Sequence, residues 1–463
     1  MPKEDASRQL VISFDHDLLI TEQLDKGTFT TQVEITIPEE HSRWEKASSL
    51  IQDISSQQVE NLAFVIKYSE KTPVAKLAEL KQSTLSPFLL VLSGRHANIK
   101  QLREDAAQAR SFGIRNFLAV TGNLPEGIQQ DADGSFSVPV PEYTDSVDAL
   151  AALTDPQKKQ SLACVMNPYI YVPEIVFMHY AKLIKKLDAG AQFIISQAGW
   201  DIKKAQELQW YLQMREKFIP VIARLRLISP DEAGALGNGP LEPGINIPVP
   251  IAAKLMRLRE NPEHFWEYQN KLAALLAVGY KKIGYSGILL AGINDSKIFK
   301  QTMDSINDLD KSITSYNDWR QQWLAFHEDS SIDPPPTLHS AGMPYYLFDN
   351  LLAQDKPFYK RDEVKVSTTS FTKPKQWELF KAKFINPNAQ GILVKVARLI
   401  FKPDERLIPC YGLDNAACPK RLVSGPCGGA RTDGWCEANH ATCYFNDIAR
   451  IAASRFELAM LEE

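Results

Sequence analysis

Cysteine is concentrated at one end of this chain of 463 residues. Five of its six cysteines fall within the last 54 residues, and Cys164 lies far upstream. The clustered five are Cys410, Cys418, Cys427, Cys436 and Cys443. Clustered thiols are more often selected for metal binding or redox chemistry than for packing. The pattern predicts a small metal-braced module at the C-terminus, attached to a larger body that has almost no cysteine.

The spacing of these thiols favours a structural metal site without fixing the metal. We predict four-cysteine zinc, held by the set that is closest in sequence: Cys418, Cys427, Cys436 and Cys443. An iron–sulfur cluster, or no metal, are the alternatives. No CxxC pair is present, so a standard zinc ribbon is not indicated, and His440 is a further ligand to consider. Cys164 lies in an apolar run and is interpreted as core.

A carboxylate within an apolar strand is the second feature that could take part in catalysis. In QVEITI, Val33, Ile35 and Ile37 share one face, whereas Glu34 lies on the other with two polar neighbours. If the apolar face packs against helices, Glu34 points into the interior of the sheet. A partly desolvated carboxyl there would have a raised pKa and could act as an acid. The alternative is a glutamate paired with a lysine at the rim.

The elements that must position such residues form a repeating strand–helix pattern. Apolar runs typical of strands recur at 30–37, 61–67, 87–94, 116–122, 160–167, 191–197, 219–228 and 284–292. Helical spacing lies between them, for example at 97–112, 171–189 and 202–217. Eight buried strands separated by helices predict an α/β fold, a (β/α)8 TIM-type barrel. A doubly wound sheet with miscounted strands is the alternative. The active site of a barrel lies at the C-terminal ends of its strands.

Composition and short motifs narrow the classes of function. The net charge is −4 and the pI is about 6.1, which argues against nucleic acid as a partner. No apolar run approaches the length of a transmembrane helix and no signal peptide is evident, so we expect no membrane span and a cytoplasmic location. There is neither a GxGxxG after a strand nor a phosphate-binding GxxxxGK[ST]. The Pro-rich segment 330–337 predicts a boundary between a barrel domain at 1–328 and a C-terminal domain at 338–463.

Three segments resemble the methylenetetrahydrofolate reductase family in their order along the chain. GIRNFLAVTGNLP (113–125), KKLDAGAQFIISQ (185–197) and VEITIPE (33–39) are similar to motifs of strands 4, 6 and 1 of that barrel. The tail, CPKRLVSGPCGG with later cysteines, resembles the cysteine-rich C-terminal domain found in some bacterial members. The resemblance covers the body of the chain to about residue 310 and separately the tail.

The resemblance implies a flavin enzyme that reduces 5,10-methylenetetrahydrofolate to 5-methyltetrahydrofolate, in one-carbon metabolism and methionine biosynthesis. By position, Glu34 matches the general acid and Gln197 the amide that recognises the pterin. Lys186 matches a lysine that contacts the flavin, and Thr121 with Gly122 match the loop beside it. The implied cofactor is FAD, with FMN as the alternative. The implied partners are a tetrahydrofolate derivative and, as electron donor, NAD(P)H or a reduced carrier protein; a homo-oligomer is compatible with the sequence.

Four positions depart from the family pattern. Asn123 stands where members usually have an aspartate near flavin N1, and His179 stands where some have a flavin-contacting aspartate. Asn167 occupies the place of a tyrosine, and Val91 that of a polar residue. These changes support a second hypothesis: an altered paralogue that binds folate, or transfers a methyl group to or from folate, without flavin redox chemistry.

Overall fold

The structure is a computed structural model, and a single barrel dominates it. It describes residues 18–37, 39, 44–69, 72–124, 140–155, 157, 159–238, 241–327, 344–348, 366–367, 371–386, 388–438 and 441–462. Eight parallel strands close in chain order, with the last strand paired to the first. The strands are β1 (Thr30–Ile37), β2 (Leu62–Tyr68), β3 (Phe88–Ser93), β4 (Asn116–Val120), β5 (Ser161–Met166), β6 (Phe193–Ser196), β7 (Val221–Arg226) and β8 (Gly287–Ala291).

Helices surround the barrel and continue beyond it. They are α1 (Ile20–Asp25), α2 (Trp44–Ser55), α3 (Leu77–Lys81), α4 (Ile99–Ser111), α5 (Ser146–Leu153), α6 (Pro173–Asp188), α7 (Ile202–Met214), α8 (Pro230–Ala235), α9 (Val249–Leu258), α10 (Pro262–Lys282), α11 (Ser296–Ser312), α12 (Tyr316–Phe326), α13 (Gln376–Ala382), α14 (Ile392–Phe401) and α15 (Phe445–Ser454). No helix among the described residues is both long enough and apolar enough to cross a bilayer.

The two faces of the strands build two separate cores. Outward side chains such as Val33 and Ile35 pack against the helices. Inward side chains such as Val65 and Phe193 fill the barrel, and Ile20 of α1 joins them. The amide of Ile20 donates to the Asn116 side chain, which seals α1 against the N-terminal end of the barrel. A ligand therefore has its opening at the opposite end, where the strands finish.

The predicted fold class is confirmed. All eight predicted strands are present, each displaced by at most a few residues at its ends. Gly113, Gly190 and Gly284, each of which follows a helix shortly before a strand, have positive φ, which is common after a helix. The apolar segment 391–401 contains α14, and most of its residues are exposed. The predicted boundary at 330–337 lies outside the described residues.

The C-terminal segment packs directly on the barrel. Helix α15 lies against α6, and Arg450 of α15 contacts Glu174 of α6 with an N–O distance of 3.2 Å. The buried ammonium of Lys182 on α6 donates to the Asp145 carboxylate and to the Gly425 carbonyl. Because that ammonium is buried, its two acceptors are needed to offset its desolvation. The contact therefore fixes the cysteine-rich segment beside the C-terminal end of the barrel.

Candidate active site

A cavity of about 590 Å³ opens at the C-terminal ends of the strands. Glu34 of β1 and Arg224 of β7 line it, together with Gln197, which follows β6. The segment after β4 contributes Thr121, and the cysteine-rich tail contributes Cys427. This is where a barrel places its active site, and the volume is typical of a small-molecule site.

Glu34 is held by two cations in this cavity. Arg224 forms a bidentate ion pair with Glu34. Its Nε donates to Oε2 at 3.0 Å and its Nη2 donates to Oε1 at 2.9 Å. Lys67 of β2 donates to Oε1 at 2.8 Å. The side chain of Glu34 is 9% exposed, so these charge-assisted bonds operate largely out of water. Strand alternation correctly predicted that Glu34 points inward.

The expected raised pKa of Glu34 is wrong. Burial by itself would raise the pKa, but the charges and hydrogen bonds of Arg224 and Lys67 together outweigh it and lower the pKa to about 2. Glu34 is thus an ionised carboxylate in this arrangement, which resembles the alternative of a glutamate paired with a lysine. Arg224 lies on β7, far from Glu34 in the sequence, so only the effect of desolvation on this pKa was predicted.

Arg224 connects Glu34 to two further residues. Its guanidinium donates to Oε1 of Gln197 at 2.9 Å and to the Glu242 carboxylate at 2.9 Å. Arg226, two residues along the same strand, also donates to Glu242, at 2.8 Å. Arg224 and Glu242 were not predicted as site residues. The signal for Arg224 was a charged residue inside the apolar run VIARLR, where a buried cation needs a partner.

Gln197 has a defined orientation in the cavity. Its Oε1 accepts from Arg224 and also from the backbone amide of Ala198 at 3.1 Å. No described residue accepts a hydrogen bond from its Nε2. The amide therefore presents its donor group to a ligand, while its acceptor is already used by the protein.

The segment after β4 lines the cavity with Thr121, Gly122 and Asn123, the residues predicted to lie beside a flavin. Gly122 has φ of +90°, and a Cβ there would lie 2.5 Å from the Ser93 hydroxyl, so glycine is required. Asn123 is exposed, and its backbone carbonyl accepts from the Tyr143 hydroxyl at 2.9 Å. The side chain of Asn123 is thus placed at the cavity wall on an anchored backbone.

The floor beside α6 brings the remaining predicted residues together. Lys186 donates to the Val165 carbonyl at 2.6 Å, and burial lowers its pKa to about 8. His179 is neutral, since burial and then the charges of Lys186 and Lys182 lower its pKa to about 3. The Nε2 atom of His179 is buried and has no hydrogen-bond partner among the described residues. A buried polar atom without a partner at a cavity wall is an expected contact for a ligand.

Asn167 and Val91 also line the cavity, but their side chains differ in what they offer. The Asn167 amide is used by the protein: Oδ1 accepts from the Tyr169 amide at 3.0 Å and Nδ2 donates to the Gly244 carbonyl at 3.1 Å. Val91 offers only apolar surface. Asn167 therefore shapes the wall by fixing two loops.

The cysteine-rich tail forms one wall of this cavity. Lys420 donates to the Gly122 carbonyl at 2.8 Å and pairs with Glu437. The Gly428 carbonyl approaches Gly244 so closely that a Cβ at Gly244 would lie 2.1 Å from it. Residues from both parts of the chain thus complete the cavity, which the strand-end argument alone did not predict.

The four cysteines predicted to bind metal surround one small cavity of about 20 Å³. They are Cys418, Cys427, Cys436 and Cys443. The fifth, Cys410, is absent from that lining, and its thiol donates to the Val423 carbonyl at 3.3 Å.

Burial raises the pKa of Cys427 to about 12, so it is a neutral thiol here. Among the described residues, no group of three or more His, Cys, Asp or Glu side chains is arranged to hold a metal ion. Zinc binding by these four cysteines stays a prediction, and His440 lies outside the described residues.

Comparison with known proteins gives two family matches. The family described as methylenetetrahydrofolate reductase matches residues 20–307. The family described as methylene-tetrahydrofolate reductase C terminal matches residues 411–463. A search of curated proteins found no match.

Two solved structures show weak likeness to the chain. One is an uncharacterized protein from Clostridium thermocellum that binds two copies of 5-methyl-5,6,7,8-tetrahydrofolic acid, with 14% identity, a TM-score of 0.43, and coverage of 64% of this chain and 100% of that one. The other is dihydropteroate synthase from Xanthomonas albilineans in complex with indole-2-carboxylic acid and 6-chloroguanine, with 14% identity, a TM-score of 0.36, and coverage of 62% and 94%.

The family matches agree with the fold and with the motifs on strands 1, 4 and 6. The first match spans more than half of the chain and contains every strand of the barrel. The second covers the tail that forms a wall of the cavity. The chain therefore belongs to the methylenetetrahydrofolate reductase family, with a C-terminal domain of that family following its barrel.

Proposed function

We propose that this chain reduces 5,10-methylenetetrahydrofolate to 5-methyltetrahydrofolate, with a flavin bound in the cavity at the C-terminal ends of the strands. Family membership supports a folate-related oxidoreductase. The observation that carries the finer proposal is the convergence of Glu34 and Gln197 in one cavity, joined through Arg224. The family resemblance assigns to these two positions the acid and the amide that recognises the pterin.

The residues around the cavity fit a flavin. Its volume is within the range of roughly 300–1,000 Å³ for small-molecule sites. The unpartnered Nε2 of His179 and the ammonium of Lys186 supply polar contacts on the floor. The Thr121–Asn123 segment supplies backbone and side-chain polar groups beside them. When bound, the flavin would supply the hydride-transfer chemistry. FAD is the proposed form, and the mass of the cofactor released by denaturation distinguishes it from FMN.

The protein's own residues define what binding must accomplish. Gln197 can donate from Nε2 to an acceptor on the pterin ring. Glu34 must first gain a proton before it can deliver one to N10 of the folate, because its pKa is about 2. Productive folate binding must therefore weaken the contact between Glu34 and Arg224. Arg224 already donates to a second carboxylate, that of Glu242, which can keep the guanidinium paired.

One observation favours the second candidate function, a protein that binds folate or transfers its methyl group without flavin chemistry. The ion pairs of Glu34 with Arg224 and Lys67 keep that carboxylate ionised at neutral pH. An ionised carboxylate cannot act as a general acid. It can still anchor a ligand by accepting hydrogen bonds, a role that needs no proton transfer.

The absorbance spectrum of freshly purified protein separates the two candidates. A flavin spectrum supports the reductase, whereas a colourless protein that binds tetrahydrofolate derivatives supports the second candidate. Rapid-mixing experiments with NADH, NADPH and a chemically reduced carrier protein then identify the electron donor, since only a competent donor bleaches the flavin.

The Glu34→Gln variant tests the assigned acid. Flavin reduction by the donor should stay near normal, because that half-reaction needs no proton on a folate nitrogen. Folate reduction should fall at least ~100-fold, the usual scale for loss of a general acid. Glu242→Gln is the matched control, since it also removes a carboxylate bound to Arg224 and should cost less. Equal loss in both half-reactions of Glu34→Gln would contradict the assignment.

A further inference from the structure

An exposed apolar surface lies on the two helices that precede the cysteine-rich tail. On α14, Ile392 is 81% exposed and Leu393, Leu399 and Ile400 are each 70% exposed or more. Val394 and Ala397 face the protein instead. With 100° per residue, the exposed aliphatic side chains fall on one contiguous face of the helix. Hydrophobic side chains are thus turned to solvent along the whole helix.

Helix α13 extends this surface with aromatic rings. Trp377 is 60% exposed and Phe380 is 46% exposed. Trp377 stacks on Phe380 and makes an edge contact with Phe401 at the end of α14. The ring contacts join the two helices into one patch, which we call the α13–α14 face. Soluble monomers rarely leave so many large apolar side chains together in water, so the face is expected to bind something.

Cations surround the α13–α14 face. The segment 371–402 contains six lysines and one arginine but only one acidic residue, Glu378, in a chain whose overall net charge is −4. Lys373, Lys375, Lys383, Lys395 and Lys402 are exposed. On α14, Lys395 lies on one flank of the aliphatic face by its helical position, and Lys402 caps the C-terminal end of the helix. The face thus combines apolar surface with a strong local positive charge.

We propose that the α13–α14 face binds the surface of an anionic membrane. A helix with aliphatic and aromatic residues on one face and lysines on its flank is the type that lies in the lipid interface. Tryptophan and phenylalanine are favoured at that depth, and lysines are attracted to anionic headgroups. This binding would be peripheral, since no described helix could span the bilayer. It does not depend on the proposed reductase activity.

Other occupants explain the face less well. A second copy of the chain would bring one lysine-rich rim against another, and like charges oppose such contact. A protein partner would have to be acidic, but lysine is depleted in protein–protein interfaces. The exposed face of α14 is also a convex helix surface, which a fluid lipid layer can cover without a matching groove.

Co-sedimentation with lipid vesicles tests the proposal. The full chain should sediment with vesicles of mixed phosphatidylglycerol and phosphatidylcholine but not with phosphatidylcholine alone, and binding should weaken as salt increases. The double variant Leu393→Ser/Leu399→Ser should bind at least about tenfold more weakly, because each side chain loses its apolar transfer energy. Lys395→Glu/Lys402→Glu should lose a similar factor on anionic vesicles.

The matched control removes two exposed apolar side chains elsewhere. Leu85 and Phe218 are 97% and 84% exposed and lie on the barrel, so Leu85→Ser/Phe218→Ser should bind vesicles like the wild type. Absence of binding to anionic vesicles would overturn the proposal, as would an equal loss in this control. A dimer that light scattering detects in the wild type and that Leu393→Ser/Leu399→Ser dissociates would overturn the proposal, because the face would then bind a second copy of the chain.

Discussion

The pKa of Glu34 should depend on Arg224 and not on Arg226, the other arginine of β7. Arg224 makes two hydrogen bonds to Glu34, at 2.9 and 3.0 Å. Arg226 contacts Glu242, as Arg224 does, but makes no hydrogen bond to Glu34. Arg224→Gln and Arg226→Gln are therefore a matched pair: each removes one guanidinium bound to Glu242, and only the first changes the partner of Glu34.

The size of the effect follows from the charges around the carboxylate. An adjacent opposite charge lowers a carboxyl pKa by about 1–3 units, so Arg224→Gln should raise the pKa of Glu34 by roughly 2 units. Burial, which already favours the neutral acid, would then be opposed mainly by Lys67. From a starting pKa of about 2, such a rise increases the protonated fraction at pH 7 about 100-fold.

Infrared difference spectroscopy over a pH series measures this pKa directly. The carboxylic acid C=O band of Glu34 is the band missing from Glu34→Gln. It should appear at higher pH in Arg224→Gln than in wild type and be unshifted in Arg226→Gln. If Glu34 titrates at the same pH in all three proteins, the reasoning about Arg224 is refuted. Arg224→Lys provides a folded alternative if the glutamine variant is unstable, since it keeps the charge but loses the two-pronged geometry.

Stability against acid gives a second readout with a definite sign. The folded-state pKa of Glu34, about 2, lies below its ordinary value of 4.5. Its ionised form therefore contributes to the free energy of unfolding above about pH 4.5, and that contribution is lost as the pH falls towards 2. The shift corresponds to on the order of 3 kcal/mol. Urea unfolding at a series of pH values should show this loss in wild type and a smaller one in Arg224→Gln.

Two further predictions concern the C-terminal thiols and the loop after β4. If the four thiols bind zinc, Cys427→Ser should lower metal content and stability, whereas Cys410→Ser should keep the metal, because the Cys410 thiol donates to Val423 outside that cavity. Metal analysis that finds no metal in freshly purified wild type would contradict this prediction. Asn123→Asp should make the reduction potential of the flavin more negative, because a carboxylate repels the negative charge on reduced flavin. An unchanged or more positive potential in a redox titration would mean that Asn123 does not lie beside flavin N1.

The barrel was predictable because its signals are local. Each strand is a short apolar run, and glycines with positive φ, such as Gly113 and Gly190, follow some of the helices that separate the strands. The inward direction of Glu34 followed from the two-residue period of β1. Parallel strands in a closed barrel bring their C-terminal ends together, so residues that end different strands were correctly placed in one cavity.

The contribution of the tail to the cavity was not predictable in the same way. Lys420 reaches Gly122, and Gly428 reaches Gly244, across separations of many residues that no periodic pattern encodes. The exposure of α14 was not predictable for a related reason. An apolar segment is expected to be buried, but the sequence does not show whether the rest of the chain or a separate surface buries it.

The error over Glu34 shows why a pKa is harder to read from sequence than a position. Desolvation is a property of one residue's place in a strand, so the period of β1 was enough to predict it. The opposing effect comes from Lys67 on the adjacent strand β2 and from Arg224 on β7. Strand β7 comes near β1 only because the barrel closes. The ionisation state of the predicted acid is thus a consequence of the fold as a whole. For the proposed reaction, the residue that controls proton delivery is then Arg224 as much as Glu34, because the carboxylate can take up a proton only when that pair weakens.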